Sequence, residues 1–436
     1  MRTTLAVLGL VVIALGTAQA ATANEVAEWN DVAVAVLLAG GQNNLTLTRG
    51  LTMVSVAMHD ALNAIQRRYE PYAFDGAGEP NATPEAAVAT AARDVLVLAV
   101  PVFGTPSQQA TAIAMADAAY TSALAKIADG PGKTSGVAVG RAAAAAIVGL
   151  RRDDGAIRDV PYTPGTAPGQ WRPHPNPVPA DPPIPNPSLA PGYSAAMLPG
   201  WRHVTPFTLL SAAQFRPAGP PPLASEAYTR DFNEVKSLGG KQSTARTAEQ
   251  SQIARYWYEG SGQGWNRIAR VVGASRKLDR WDLARLLALT NMAMADGFIG
   301  GFNTRYHYDF WRPVTAIRLA DTDGNPATGA DPDWETFLNT PPIPDYPSTH
   351  SVLGGAAAAV LAEVLGTDRV AFMMVSGPPF AGISRSFTSF SGAAQENADS
   401  RVYAGLHFRT ACRDGIALGQ KIGTRVARMY LLPSRR

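Results

Sequence analysis

The sequence predicts an all-α fold: a helical bundle with a proline-rich belt on its surface. Three observations carry that expectation. Apolar residues recur at three- and four-residue intervals over most of the chain, strand-like alternation is scarce, and proline is concentrated in one central stretch. The pattern divides the chain into a leader at residues 1–20, an N-terminal helical region at 24–152, the belt at 153–224 and a C-terminal helical region at 225–436.

The leader reads as an export signal. Arg2 supplies positive charge, Leu5 to Leu15 form an apolar run, and Ala18-Gln19-Ala20 offers a small-residue cleavage site. A run of about 11 apolar residues is too short for a bilayer that needs roughly 20, so the expectation is an exported protein without stable membrane insertion. About 410 residues then remain, enough for one large domain or two fused helical units. The only cysteine, Cys412, excludes an intrachain disulfide, and nothing in the sequence points to a zinc cluster. The net charge is +3 with basic residues scattered, which argues against nucleic acid as a partner. Oligomeric state is not readable.

Asn44 to Tyr69 has helical apolar spacing. Thr83-Pro84-Glu85 marks a helix start, with a capping threonine, proline at the first helical position and an acid at the positive end of the dipole. Further helices are expected over Ser107–Ala128 and Lys133–Arg151, separated by Gly130-Pro131-Gly132. Proline crowds Arg158 to Pro222, where neither helix nor central strand can continue, and the aromatic residues there point to an ordered belt rather than a free linker. Helical spacing resumes near Ser225 and runs through Trp281 to Phe302.

Three segments in the last third carry chemistry. In Arg305-Tyr-His-Tyr-Asp-Phe-Trp-Arg312-Pro313, residues seven apart on a helix differ by about 700°, so both arginines are expected on one face, with the helix ending near Pro313. Two guanidiniums there suit bidentate grip on oxyanion oxygens. In Pro344-Asp-Tyr-Pro347-Ser348-Thr349-His350, Pro347 and Ser348 mark the start of an alanine-rich helix, whose unpaired N–H groups form an anion site beside a hydroxyl and an imidazole. In Ser400-Arg401-Val-Tyr-Ala-Gly-Leu-His407, six residues span about 600°, so Arg401 is expected before the closing helix and folded back toward His407. Taken singly, each segment has a plain structural reading: solvated arginines, a Ser/Thr cap, a core histidine.

Together they resemble the type 2 phosphatidic acid phosphatase and vanadium haloperoxidase superfamily, in its bacterial haloperoxidase-type branch. The order and spacings of Arg305…Arg312-Pro313, Pro347-Ser348-Thr349-His350 and Ser400-Arg401…His407 match that family's three motifs, and the likeness covers most of the chain from about Asn44 onward. The resemblance implies a helical bundle and a vanadate cofactor. Arg305, Arg312 and Arg401 would neutralise its equatorial oxygens, Ser348 and the amide near Thr349 would donate hydrogen bonds, His407 would ligate vanadium and His350 would assist proton transfer. The partners would be hydrogen peroxide and a halide. On the same frame a secreted acid phosphatase would take a phosphoester, with His407 as nucleophile and His350 as acid. A non-catalytic oxyanion-binding protein is a third reading. Two positions depart from the family pattern: Arg305 stands where lysine is usual, and Thr349 where glycine is usual, with a side chain expected to crowd the anion.

Other features are read as structural. Asp321-Thr-Asp-Gly-Asn325 lacks the glycine and glutamate positions of a calcium loop. His59, beside Asp60 on an apolar helix, is expected as a packed histidine bonded to a neighbour, His174 and His203 as structural, His307 as turned away from Arg305, and Cys412 as core. Arg385-Ser386-Phe387 is a candidate for the pocket rim.

Overall fold

A computed structural model describes residues 24–77, 79–175 and 196–434. The export signal expected at 1–20 lies outside them, as does part of the belt.

Five helices form the N-terminal region: α1 (Glu25–Ala39), α2 (Asn44–Ile65), α3 (Pro84–Ala99), α4 (Pro106–Ala125) and α5 (Pro131–Leu150). Proline opens three of them at the first turn, where its missing N–H is harmless. Thr83 occupies the N-cap of α3, but its side chain makes no capping bond, and its N–H donates instead to Gly132 O at 2.9 Å.

The C-terminal region holds α6 (Glu226–Leu238), α7 (Ala248–Tyr256), α8 (Ser261–Ser275), α9 (Arg280–Tyr308), α10 (Pro313–Arg318), α11 (Thr349–Leu365), α12 (Phe390–Tyr403) and α13 (Arg409–Met429). A two-stranded hairpin, β1 (Phe372–Val375) and β2 (Ser384–Phe387), interrupts it with antiparallel register Phe372 to Phe387. The fold is all-α with this small exception.

Helix α9 is the spine. It packs against α2 on one side and against α11 and α13 on the other, so one buried helix joins both halves. Helices α2, α9 and α11 are buried nearly all round, so their polar side chains must find partners inside the protein. Small residues let them approach closely. A Cβ on Gly419 of α13 would lie 2.0 Å from Val352 O of α11, and one on Gly423 would lie 2.3 Å from Ala356 O. Buried polar groups between α8 and α9 are paired, as in the reciprocal amide bonds of Asn266 and Asn291 at 2.8 and 2.9 Å.

The described parts of the belt are inlaid rather than laid over the surface. Trp171 and Trp201 are buried. Asp296 of α9 accepts the backbone N–H groups of Phe207, Thr208 and Leu209 at 2.6, 2.7 and 3.1 Å, which pins the belt's return to the spine. Asp60 does the same for Tyr72, Ala73 and Phe74. No helix among the described residues is long and apolar enough to cross a membrane.

Candidate active site

The three motif segments converge at one end of α9 and α11, although not in the manner the spacing predicts. Helix α9 ends at Tyr308, because Asp309 adopts the left-handed conformation with φ 54° and returns its N–H to Arg305 O. Arg305 therefore sits in the last turn of α9, whereas Arg312 lies beyond it, extended, as the N-cap of α10. The expectation of two arginines on one helix face is overturned. They meet because the chain reverses between them.

Ser348 is the N-cap of α11, with its Oγ accepting from Ser351 N at 3.4 Å. Its backbone N–H donates to Ala411 O of α13, tying the two helix starts together. Arg401 lies in the last turn of α12, and Gly405, at φ 81°, makes the turn that brings His407 back toward it. A side chain at Gly405 would meet Gly239 O at 2.3 Å, so the close approach requires glycine as much as the dihedral does.

A cavity of about 60 Å³ lies at this junction, lined by Arg305, Arg312, Thr349, His350, Arg401 and His407 on the polar side. Its apolar wall includes Met197 of the belt, Tyr258, Phe298, Phe302 and Ile343. Ser348 is not among the lining residues; its hydroxyl is turned into the cap. Arg305 and Arg312 are 0% exposed and Arg401 is 1% exposed, so three cations share one water-poor space.

Backbone carbonyls hold them there. Arg305 donates from Nε to Pro347 O at 2.7 Å and from Nη1 to Pro344 O at 2.8 Å. Arg312 donates from Nε to Ile343 O at 2.7 Å and from Nη1 to Leu406 O at 2.8 Å. Arg401 Nη1 reaches Trp257 O at 3.4 Å. Nη2 of Arg312 and Nε of Arg401 are buried without a protein partner. Burial lowers Arg312 and Arg401 to about 10, which leaves both charged at neutral pH. Arg305 is also held well below the ordinary guanidinium range, by burial and then by Arg312.

Burial disfavours the charged form of both histidines. Burial holds His350 well below the ordinary imidazole range, reinforced by Arg401. Burial and then Arg312 do the same to His407. Their proton positions follow from their partners. His350 Nε2 lies 3.4 Å from Glu259 O, which can only accept, so the proton sits on Nε2 and Nδ1 keeps its lone pair. His407 Nε2 lies 3.0 Å from Arg312 Nη1 and 3.4 Å from Arg305 Nη2, which can only donate, so Nε2 keeps the lone pair. His407 Nδ1 approaches Asp345 Oδ1 at 2.8 Å.

Residues 285–432 match the VCPO second helical-bundle domain. A vanadium chloroperoxidase of Curvularia inaequalis is 29% identical over 269 residues, a stretch that covers 45% of this chain and 44% of that protein. A bacterial vanadium-dependent iodoperoxidase superposes with a TM-score of 0.77 at 26% identity, covering 94% of this chain and 98% of that one. Residues 285–432 thus carry the VCPO second helical-bundle domain, and the chain as a whole is similar to vanadium haloperoxidases. An apo bacterial vanadium-dependent chloroperoxidase shares the fold, with a TM-score of 0.70 at 17% identity over 88% of this chain and 94% of the other.

Within this haloperoxidase-type frame, the two unusual motif residues have local explanations. Arg305 directs two of its nitrogens to carbonyls, so it offers the cavity only Nη2, much as a lysine would offer a single amine. Thr349 faces Gly301 of α9, where a Cβ would stand 3.0 Å from its Cγ2. Its methyl packs on the spine, while the residue itself lines the cavity.

Asp345 was legible as a letter in the second motif but not as a partner of His407. Arg385 does not line the cavity: it is bound to Glu396 at 2.6 Å and Glu249 at 2.7 Å. Phe387 instead packs with Trp257 and Tyr256. His307 is exposed on the far side of α9. His174 is buried near Arg312, and burial lowers it to about 4. His203 accepts from Arg202 at the surface. His59 is bonded to Glu70 O and packed in the core. Asp323 closes its own turn onto Asn325 and Thr328. Cys412 is a core residue whose thiol burial pushes up to about 12.

Proposed function

We propose that the chain is a vanadate-dependent haloperoxidase-like enzyme that oxidises halide with hydrogen peroxide. The observation that carries this reading is the charge balance of the cavity. Three buried guanidiniums face one buried carboxyl, Asp345, which burial raises to about 7 against the pull of Arg312 and Arg305, so at least two positive charges are left beside the N-terminus of α11. Buried charge without a partner is strongly unfavourable. A ligand with two negative charges and several acceptor oxygens, such as vanadate, meets that need.

The donor set fits such a group. Arg312 Nη2 and Arg401 Nε are buried donors without a protein partner. Arg305, Arg312 and Arg401 would hold the anion's oxygens, and the first-turn amides at Thr349 and His350, which lack intrahelical acceptors, would add to them. His407 would ligate vanadium through Nε2. Ser348 would support the site as the cap that starts α11. Vanadate, when bound, supplies the Lewis acidity that makes peroxide an oxidant for halide. His350, with its lone pair on Nδ1, would take the proton that peroxide gives up on binding and return it later. The cavity of about 60 Å³ holds a group the size of a small tetrahedral oxyanion. Solved relatives named as iodoperoxidase and chloroperoxidase support the reading. Export, from the leader at 1–20, is part of the proposal, and the N-terminal sequence of protein recovered outside the cytoplasm tests it.

The deciding experiment is a paired assay on purified protein. One arm follows halogenation of a dye with vanadate, peroxide and bromide, chloride or iodide. The other offers a chromogenic phosphomonoester with and without vanadate. Vanadate-dependent halogenation is expected. Phosphatase turnover that vanadate blocks, with no halogenation, would replace the reading with phosphohistidine chemistry. Tight anion binding with no turnover in either arm would leave a binding protein. His407→Ala is expected to lose halogenation entirely, and full activity in that variant would overturn the site.

A further inference from the structure

We infer that Asp345 is the positioning residue for His407, and that it sets a preference for oxyanions that accept a nitrogen ligand over those that do not. The inference rests on the oxyanion site proposed above and adds the group that prepares its ligand.

The carboxylate is fully buried and its Oδ1 stands 2.8 Å from His407 Nδ1, with Arg312 Nη1 farther off at 3.7 Å. It is held in place by a rigid loop. The Asp345 N–H donates to Phe310 O at 2.7 Å. Carbonyls on either side of it, at Ile343, Pro344 and Pro347, are gripped by Arg312 and Arg305. Neither carboxylate oxygen has an aligned hydrogen-bond donor, so the approach to His407 is close without being in line. A buried carboxylate left without a donor is costly, and the His407 ring, at 2.8 Å, and the Phe408 N–H are the neighbours that can satisfy it.

Two opposite constraints act on this ring. Guanidiniums can only donate, and they stand nearer Nε2, at 3.0 Å from Arg312 and 3.4 Å from Arg305, with Arg312 Nη1 3.4 Å from Nδ1. A carboxylate can only accept, and it faces Nδ1. Both select the Nδ1–H tautomer, with the Nε2 lone pair directed at the cavity. A carboxylate behind a ligating imidazole also makes the ligating nitrogen more basic, and losing such a partner typically weakens metal affinity 10- to 100-fold.

The inference separates two anions of similar shape and charge. Vanadate takes a bond from nitrogen, whereas sulfate is held by charge and hydrogen bonds alone. Removing Asp345 weakens the first interaction, yet it also removes a negative charge that opposes both anions.

The test is calorimetric titration of vanadate and of sulfate into the full-length, metal-free protein, for the wild type, Asp345→Asn and Asp345→Ala. Nitrogen NMR of the His407 ring is recorded in parallel. Vanadate affinity is expected to fall about 10- to 100-fold while sulfate affinity stays within about threefold or rises. The wild-type ring is expected as Nδ1–H. Equal weakening of both anions would mean a merely structural carboxylate and would overturn the inference. So would vanadate affinity within about twofold of wild type in both variants, or an Nε2–H ring in the wild type. The isosteric asparagine keeps the test usable where alanine fails to fold. Failure of the wild type to bind either anion is a different result: it removes the oxyanion site itself, and the inference with it.

Discussion

A lysine at position 305 would carry the same charge into the cavity, but it could not also hold two carbonyls of the motif loop. Arg305→Lys is therefore expected to lower stability by about 1.5–3 kcal/mol, the worth of one charged hydrogen bond, and to weaken vanadate binding by loosening Pro344 and Pro347. Urea denaturation and vanadate titration check both, and unchanged stability would show the carbonyl bonds to be idle. Thr349 and Gly301 form a second pair. Gly301→Ala would push on the threonine methyl, whereas Thr349→Gly would free the space. The double variant is expected to be more stable than the sum of the singles by about 0.5–2 kcal/mol, and strict additivity would sever the link. The charged residues of the site were legible because arginine and histidine at fixed spacings are few. The role of Asp345 was not, because its partner lies on a different motif and only the fold joins them.

At the scale of elements, the sequence placed helices well and their ends poorly. The spacing from Asn44 runs to Tyr69, yet α2 stops at Ile65. Pro313 was the visible stop signal for the arginine-bearing helix, but the real terminator is Asp309, a non-glycine residue in left-handed geometry that carries no mark in the sequence. The close seam between α11 and α13 matters more for the site, because one helix begins at Ser348 and the other just after His407. Gly419→Ala would place a methyl 2.0 Å from Val352 O. The expected cost is roughly 1–3 kcal/mol, accompanied by weaker anion binding as the two helix starts move apart. Gly149→Ala on exposed α5, where a Cβ meets nothing, is the control and is expected to be neutral or stabilising. Thermal unfolding of both variants decides the matter.

Across the whole molecule, buried histidines make folding sensitive to acid. His174 folds with its pKa lowered from 6.5 to about 4. Its contribution to stability is fully present above pH 6.5 and is lost as pH falls toward 4, by up to about 3 kcal/mol. His59 acts in the same direction, whereas Asp60, raised by burial to about 6, contributes stability that is lost as pH rises through that value. His174→Gln should therefore gain on the wild type by about 2–3 kcal/mol between pH 7 and pH 4.5. Urea midpoints at the two pH values measure it, and a constant difference would contradict the assignment. The carbonyl tethers on the three arginines have a consequence of another kind. Carbonyls fix a guanidinium without cancelling its charge, so the folded chain carries an electrostatic debt that the unfolded chain does not. Any oxyanion that enters becomes linked to folding by mass action, adding about 2.7 kcal/mol at a hundred times its Kd. Preparations in phosphate buffer and in buffer without an oxyanion should therefore melt at different temperatures, and the choice of buffer becomes part of the protein's thermodynamic state.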